Sequence, residues 1–161
     1  MVEHVISVTI ITIACIISAT MLVSAIYPAV SRASSSAISS SVELGERIET
    51  SVDIIAEANE GSYEYVWVKN IGVSQLVASQ IENSDIFFGE IGNFQRISYN
   101  ATLSSAPCWK YSIENDNGNN RWDPGETVNI TINAGSEITA GDYYVKIVLY
   151  NAVSDEDTFS I

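Results

Sequence analysis

Side-chain oxygens crowd into one segment, Glu114-Asn115-Asp116-Asn117-Gly118-Asn119-Asn120-Arg121-Trp122-Asp123-Pro124-Gly125-Glu126. Framed from Asn115, they recur as Asn115, Asn117, Asn119, Asp123 and Glu126, the spacing at which a calcium loop places its ligands. Two of these five carry charge, and Asn120 stands where such a loop has glycine. Asn tolerates a positive φ better than most residues, so the frame still describes a weak calcium site. The same residues also describe a polar interstrand loop that starts with an Asx turn and closes on Pro124-Gly125.

Little else in the sequence could carry out a reaction. The lone histidine, His4, sits beside Glu3, and the cysteines, Cys15 and Cys108, are far apart. One histidine supports neither a catalytic triad nor a multi-histidine zinc site, and two distant cysteines make no disulfide framework. The 20 acids outnumber the 7 cations and give a net charge of −13. Such a surface repels phosphate backbones, which excludes nucleic acid as a partner. Asn100-Ala101-Thr102 and Asn129-Ile130-Thr131 are glycosylation sequons, meaningful only on an extracytoplasmic surface. Phe87 and Phe88 are adjacent, and on a strand one of any such pair must face away from the core, where it could meet a partner. The remaining aromatics, Trp109 and Trp122 among them, read mainly as core, with a ligand-binding face as the alternative.

The elements that position these residues begin with an apolar run. No charge occurs from Val5 to Val30, a stretch of about 39 Å as a helix at about 1.5 Å per residue, enough to cross a bilayer. Tyr27, Pro28 and Arg32 then mark the expected membrane exit: an interfacial ring, a residue lacking an N–H, and the first cation. The start lacks the basic region of a signal peptide, so residues 1–30 read as an uncleaved anchor with its amino terminus inside. All 7 cations and every acid but Glu3 follow it. With the sequons, this places residues 48–161 outside the cytoplasmic membrane.

Residues 31–47 form a Ser-rich connector that suits either a flexible linker or, through Ile38, Val42 and Gly45, an extension of the helix. The spacing predicts helix to about Glu46 and a strand from about Ile48, because Ile48, Thr50, Val52, Ile54 and Ala56 alternate with more polar neighbours. Further strands are expected at 63–69, 75–79, 85–88, 94–99, 109–113, 127–133, 142–151 and 157–160. The expected fold is mainly β: a transmembrane helix followed by an immunoglobulin-like antiparallel β-sandwich.

The order of landmarks carries a resemblance. An anchor ends in Ala25-Ile26-Tyr27-Pro28-Ala29-Val30, a Ser-rich connector enters Glu46-Arg47-Ile48, and a β-domain follows. That domain contains Val68-Lys69-Asn70-Ile71-Gly72, Ser84-Asp85-Ile86-Phe87-Phe88-Gly89, Trp122-Asp123-Pro124-Gly125-Glu126-Thr127 and Gly141-Asp142-Tyr143-Tyr144. Together these resemble the FlaF/FlaG family of archaeal flagella-related proteins, protein G in particular. The resemblance implies a non-enzymatic, stator-like role in the archaellum. It implies a helix held by membrane lipid, contacts to the surface-layer protein and to protein F, self-assembly, and no catalytic residue. A pilin-like filament subunit and a surface-anchored ligand-binding module are the alternatives.

Overall fold

The computed structural model describes residues 2–161; Met1 lies outside the described residues. The chain divides into two units, 1–43 and 44–161. The described residues of the first are all helical. Helix α1, Val2–Glu49, begins there and ends in the second unit. It continues through Pro28 instead of stopping; a proline deletes one N–H from the ladder without obliging the helix to end. Several of its hydroxyls bond back to backbone carbonyls within the helix, as Thr9 Oγ1 does to the Val5 carbonyl and Ser18 Oγ to that of Ala14, both at 2.8 Å. Such bonds satisfy a hydroxyl in apolar surroundings. This is the one helix among the described residues long and apolar enough to cross a membrane.

The second unit is a β-sandwich. Its strands are β1 (Val52–Glu60), β2 (Tyr63–Asn70), β3 (Leu76–Val77), β4 (Asp85–Glu90), β5 (Asn93–Tyr99), β6 (Cys108–Ile113), β7 (Arg121–Trp122), β8 (Thr127–Asn133), β9 (Asp142–Val148) and β10 (Ser154–Ser160). A short helix α2, Ala78–Glu82, follows β3. The strands run in the order β1-β2-β8-β6-β5-β4-β9-β10, and β3 pairs with β7 separately. All pairings are antiparallel except β5 with β6, where a two-residue parallel contact, Ser98 to Cys108 and Tyr99 to Trp109, joins the two faces of the sandwich. The strands β2, β4 and β9 show strict alternation of buried positions. The central strand β8 is buried on both sides from Val128 to Ile132.

Several expectations need correction here. Ile48 lies in α1 and the first strand starts at Val52, because Thr50 caps the helix end: its hydroxyl and N–H both donate to the Glu46 carbonyl, at 2.7 and 3.1 Å. The 75–79 strand is only Leu76–Val77, and α2 takes over from Ala78. β7 was not expected at all. A bulge at Ile55 also shifts the register of β1, so Ile54 opposes Val68 while Glu57 opposes Val66. Val52, Ile54, Glu57 and Asn59 therefore share the inward side of the strand, and Ala56 and Ala58 face outward.

The core packs Val66, Val68, Ile86, Phe88, Ile97, Trp109, Trp122, Ile130, Ile132, Val145 and Ile147 between the faces. At about 25 cal/mol per Å² of apolar surface removed from water, this cluster is the main stabilising contribution. Both cysteines are free thiols.

Candidate functional site: the anchor junction and its supporting loop

Two landmark segments of the sequence, 68–72 and 122–127, meet where α1 ends. In the last helical turn the Glu49 carbonyl accepts the N–H groups of Val73 and Ser74, at 2.8 and 3.2 Å. The Ser51 carbonyl accepts those of Ile71 and Gly72, at 3.0 and 2.9 Å. The first two bonds occupy the Glu49 carbonyl, which the helix end leaves without an intrahelical partner. The approach is close enough that a Cβ on Gly72 would lie 2.5 Å from the Glu49 carbonyl oxygen and 2.6 Å from the Ser51 nitrogen. Glycine is required there for space.

Arg47 and Asn151 secure the same turn from the β9–β10 connection. Arg47 Nε donates to the Asn151 carbonyl at 2.8 Å, and Asn151 Nδ2 donates to Thr50 Oγ1 at 3.0 Å. Asn70 ties the capping segment to the polar loop. It is fully buried; its Nδ2 donates to the carbonyls of Ser74 and Trp122, at 2.9 and 3.1 Å, and its Oδ1 accepts the Gly72 N–H. The Asn70 carbonyl accepts from Gly125 and its N–H donates to the Glu126 carbonyl.

The residues framed as calcium ligands build this support. Glu126 is buried, and its two carboxylate oxygens accept the N–H groups of Asn117 and Asp123, at 3.1 and 2.9 Å. Asp123 Oδ2 accepts the side-chain amides of Asn117 and Asn119, at 2.6 and 2.8 Å. Asn115 Oδ1 accepts the Thr127 N–H at 2.8 Å, and Asn119 Oδ1 accepts that of Arg121 at 2.7 Å. Asn120 does adopt a positive φ of 56°. The oxygens of the frame thus accept N–H donors of the loop itself, an arrangement of Asx turns. Among the described residues no cluster of three acidic, histidine or cysteine groups could hold a metal.

Other anticipated site residues separate. Phe88 is buried in the core and stacks on Tyr143 with ring centroids 5.8 Å apart, which removes it as a partner contact. Phe87 points to the other side of β4 and is half-buried. Asn129 is buried in β8 with its Oδ1 accepting from Thr131 Oγ1, so its sequon is interior and not a surface acceptor in the folded chain. Asn100 lies in a turn where Thr102 N–H and Oγ1 both donate to its Oδ1. Trp109 and Trp122 are buried, and Trp122 Nε1 donates to the Glu126 carbonyl at 2.9 Å; neither can form a ligand-binding face. Sequence reasoning missed Asn70 and Gly72 as junction residues. Their signal was the Asn-x-Gly following a strand, readable as a turn but not as a helix cap.

The comparisons with known proteins agree with this architecture. A family model described as archaeal-type flagellin matches residues 3–159. An uncharacterized protein of Archaeoglobus fulgidus is 32% identical over 99% of this chain and 99% of its own length. The solved archaellum periplasmic stator protein FlaG from Sulfolobus acidocaldarius is similar with a TM-score of 0.58 and 26% identity, covering 68% of this chain and 99% of that one. A chain of the solved stator protein complex of FlaF and FlaG from the same organism is also similar, with a TM-score of 0.56, 25% identity, and coverage of 67% of this chain and 87% of that one. With an apolar helix ahead of a sandwich that matches a stator protein, the chain belongs to the archaeal-type flagellin family and has the fold of FlaG.

Proposed function

We propose that this protein is a non-enzymatic, stator-like component of the archaellum, held in the cytoplasmic membrane by α1 and linking the motor region to the surface layer and to a protein F. The observation that carries the reading is the match to nearly the whole of a solved FlaG, which was also solved in complex with FlaF. The anchor junction supports it. A static part must pass load from its anchor to its outer domain, and the last turn of α1 is hydrogen-bonded into the sandwich through Glu49, Asn70 and Gly72. In this reading Tyr27, Pro28 and Arg32 mark the membrane exit, the sandwich stands outside, Phe87 contributes to a partner contact, Asn100 is the accessible sequon, and copies of the chain self-assemble.

The test is retention of the full chain, in detergent, on isolated surface layer and on the same organism's protein F. Retention on either, weakened by Phe87→Ser with the fold intact, is expected. Failure on both would remove the stator reading. A filament subunit is the second reading, favoured by the flagellin description of the matching family model. A processed mature terminus and filaments built from this chain would decide for it.

A further inference from the structure

The strands β1 and β10 stand at opposite ends of the strand order, yet they contact one another across the open side of the sandwich. No backbone ladder joins them among the described residues. The backbone donor caught across this seam is the Ile54 N–H, and its acceptor is the side chain of Asp155, Oδ2 at 2.7 Å. Two neighbouring edges left unpaired are held by side chains, and the side chains here are acids.

Three carboxyls follow one another into the seam, with Glu57 acting on both Glu64 and Asp157. The bulge at Ile55 turns Glu57 inward, opposite Val66. Glu64, on β2 opposite Asn59 and Ile132, is 0% exposed, and neither carboxylate oxygen has a hydrogen-bond partner. Glu57 Oε1 is buried without a partner as well. From β10, Asp157 lies against Glu57 within hydrogen-bonding reach. Two carboxyls can share such a bond only when one holds a proton.

We propose that the β1–β10 seam is a proton-operated latch: protonated Glu64, and protonated Glu57 donating to Asp157 across the seam, let the two edges close, and deprotonation of the two glutamates parts them. The surroundings supply no counter-charge. Glu57 faces Glu64 from β1, Asp157 and Asp155 approach from β10, Ile132 on β8 is apolar, and Glu137 in the β8–β9 loop is exposed to solvent. No cation is among the groups acting on Glu64. Burial, followed by the charge of Glu57, pushes the Glu64 carboxyl up to about 7, against a smaller opposing pull from Asn59 and the Ala58 backbone. Burial and Asp157 raise Glu57 too. Because the folded-state value is raised, the stability that Glu64 contributes is complete below pH 4.5 and is lost as pH rises to about 7.

The latch bears on the anchor. Strand β1 follows α1 after two residues and pairs in a ladder only with β2. With the seam closed, β1 is also tied to β10 and thereby to β9 and β4. With it open, the part of a pull that reaches β1 is passed on through β2 alone, beside the junction bonds of Glu49 and Arg47.

The experiment uses the full chain in detergent, without any partner, so its outcome is independent of the stator reading. Thermal melts and amide exchange are followed from pH 4.5 to above 7. In the wild type, Tm falls by on the order of 10 °C across this window, and intrinsic-rate-corrected protection is lost at β1 and β10 before the other strands. Glu64→Gln flattens the Tm profile and keeps the seam protected. A flat wild-type profile, or a Glu64→Gln profile as steep as the wild type's, overturns the latch. Should Glu64→Gln fail to fold, carboxyl-carbon NMR of the wild type decides: a Glu64 midpoint near 7, shared by β1 and β10 exchange, supports it, and one near 4.5 overturns it.

Discussion

Glu126 and Glu64 are buried carboxyl side chains of one β-domain, 6% and 0% exposed, with opposite surroundings. Glu126 sits at the end of a loop whose backbone N–H groups have no ladder to join, and two of them turn to its oxygens. Glu64 sits on β2, which is paired on both sides by β1 and β8. The N–H groups of those ladders are committed to one another, and Asn59 and the Ala58 backbone offset only a small part of what burial costs its carboxylate. Burial alone therefore does not determine what an acid does in a sandwich. The supply of unpaired donors does, and donors are found in loops, not in central strands.

Four changes sharpen that contrast. Glu126→Ala removes the acceptor of two partly buried N–H groups and is expected to cost about 3 kcal/mol in denaturant unfolding; a loss no larger than that of an exposed residue would contradict the pairing. Gly72→Ala forces a Cβ against the Glu49 carbonyl, with an expected loss of about 2 kcal/mol, and amide exchange should speed up at Val73 and Ser74 ahead of the core. Glu64→Leu has the opposite sign. It replaces an acid lacking donors and should gain about 1 kcal/mol above pH 7, a gain that disappears below pH 4.5, where the wild-type carboxyl is already neutral. Addition of millimolar calcium should shift Tm least, by less than about 1 °C, because the oxygens of the 115–126 frame already accept internal donors.

Much of the fold is legible in the residues. Alternation in 63–70 and 142–148 marks β2 and β9, and an apolar run bounded by polar turns marks the helix and the sandwich as separate parts. The strand β8 is legible as well, although its burial on both sides conceals that Asn129 is interior. What stays hidden depends on partners distant in sequence. Asn70 bonds to Trp122 across 52 positions, and nothing local announces a two-residue strand inside an Asn-rich loop. The adjacent pair Phe87 and Phe88 shows that one must face out, but the phase of β4 against β5 and β9 decides which. The 115–126 frame shows a related limit: spacing counts oxygens, whereas the fold orients N–H groups toward them.

The bulge at Ile55 decides which face of β1 meets the core from Ala56 onward. A bulge that moves along a strand reverses the facing of each residue it passes. Moved beyond Asn59 toward the β1–β2 turn, it would place Ala56 and Ala58 against the core and hand Glu57 to water. That second pairing holds no buried carboxyl on β1, and its alanines leave unfilled volume in exchange. The place of this one bulge thus sets the lining of the strand nearest the anchor: titratable with the bulge at Ile55, inert were it displaced, with the same partner β2 in either case.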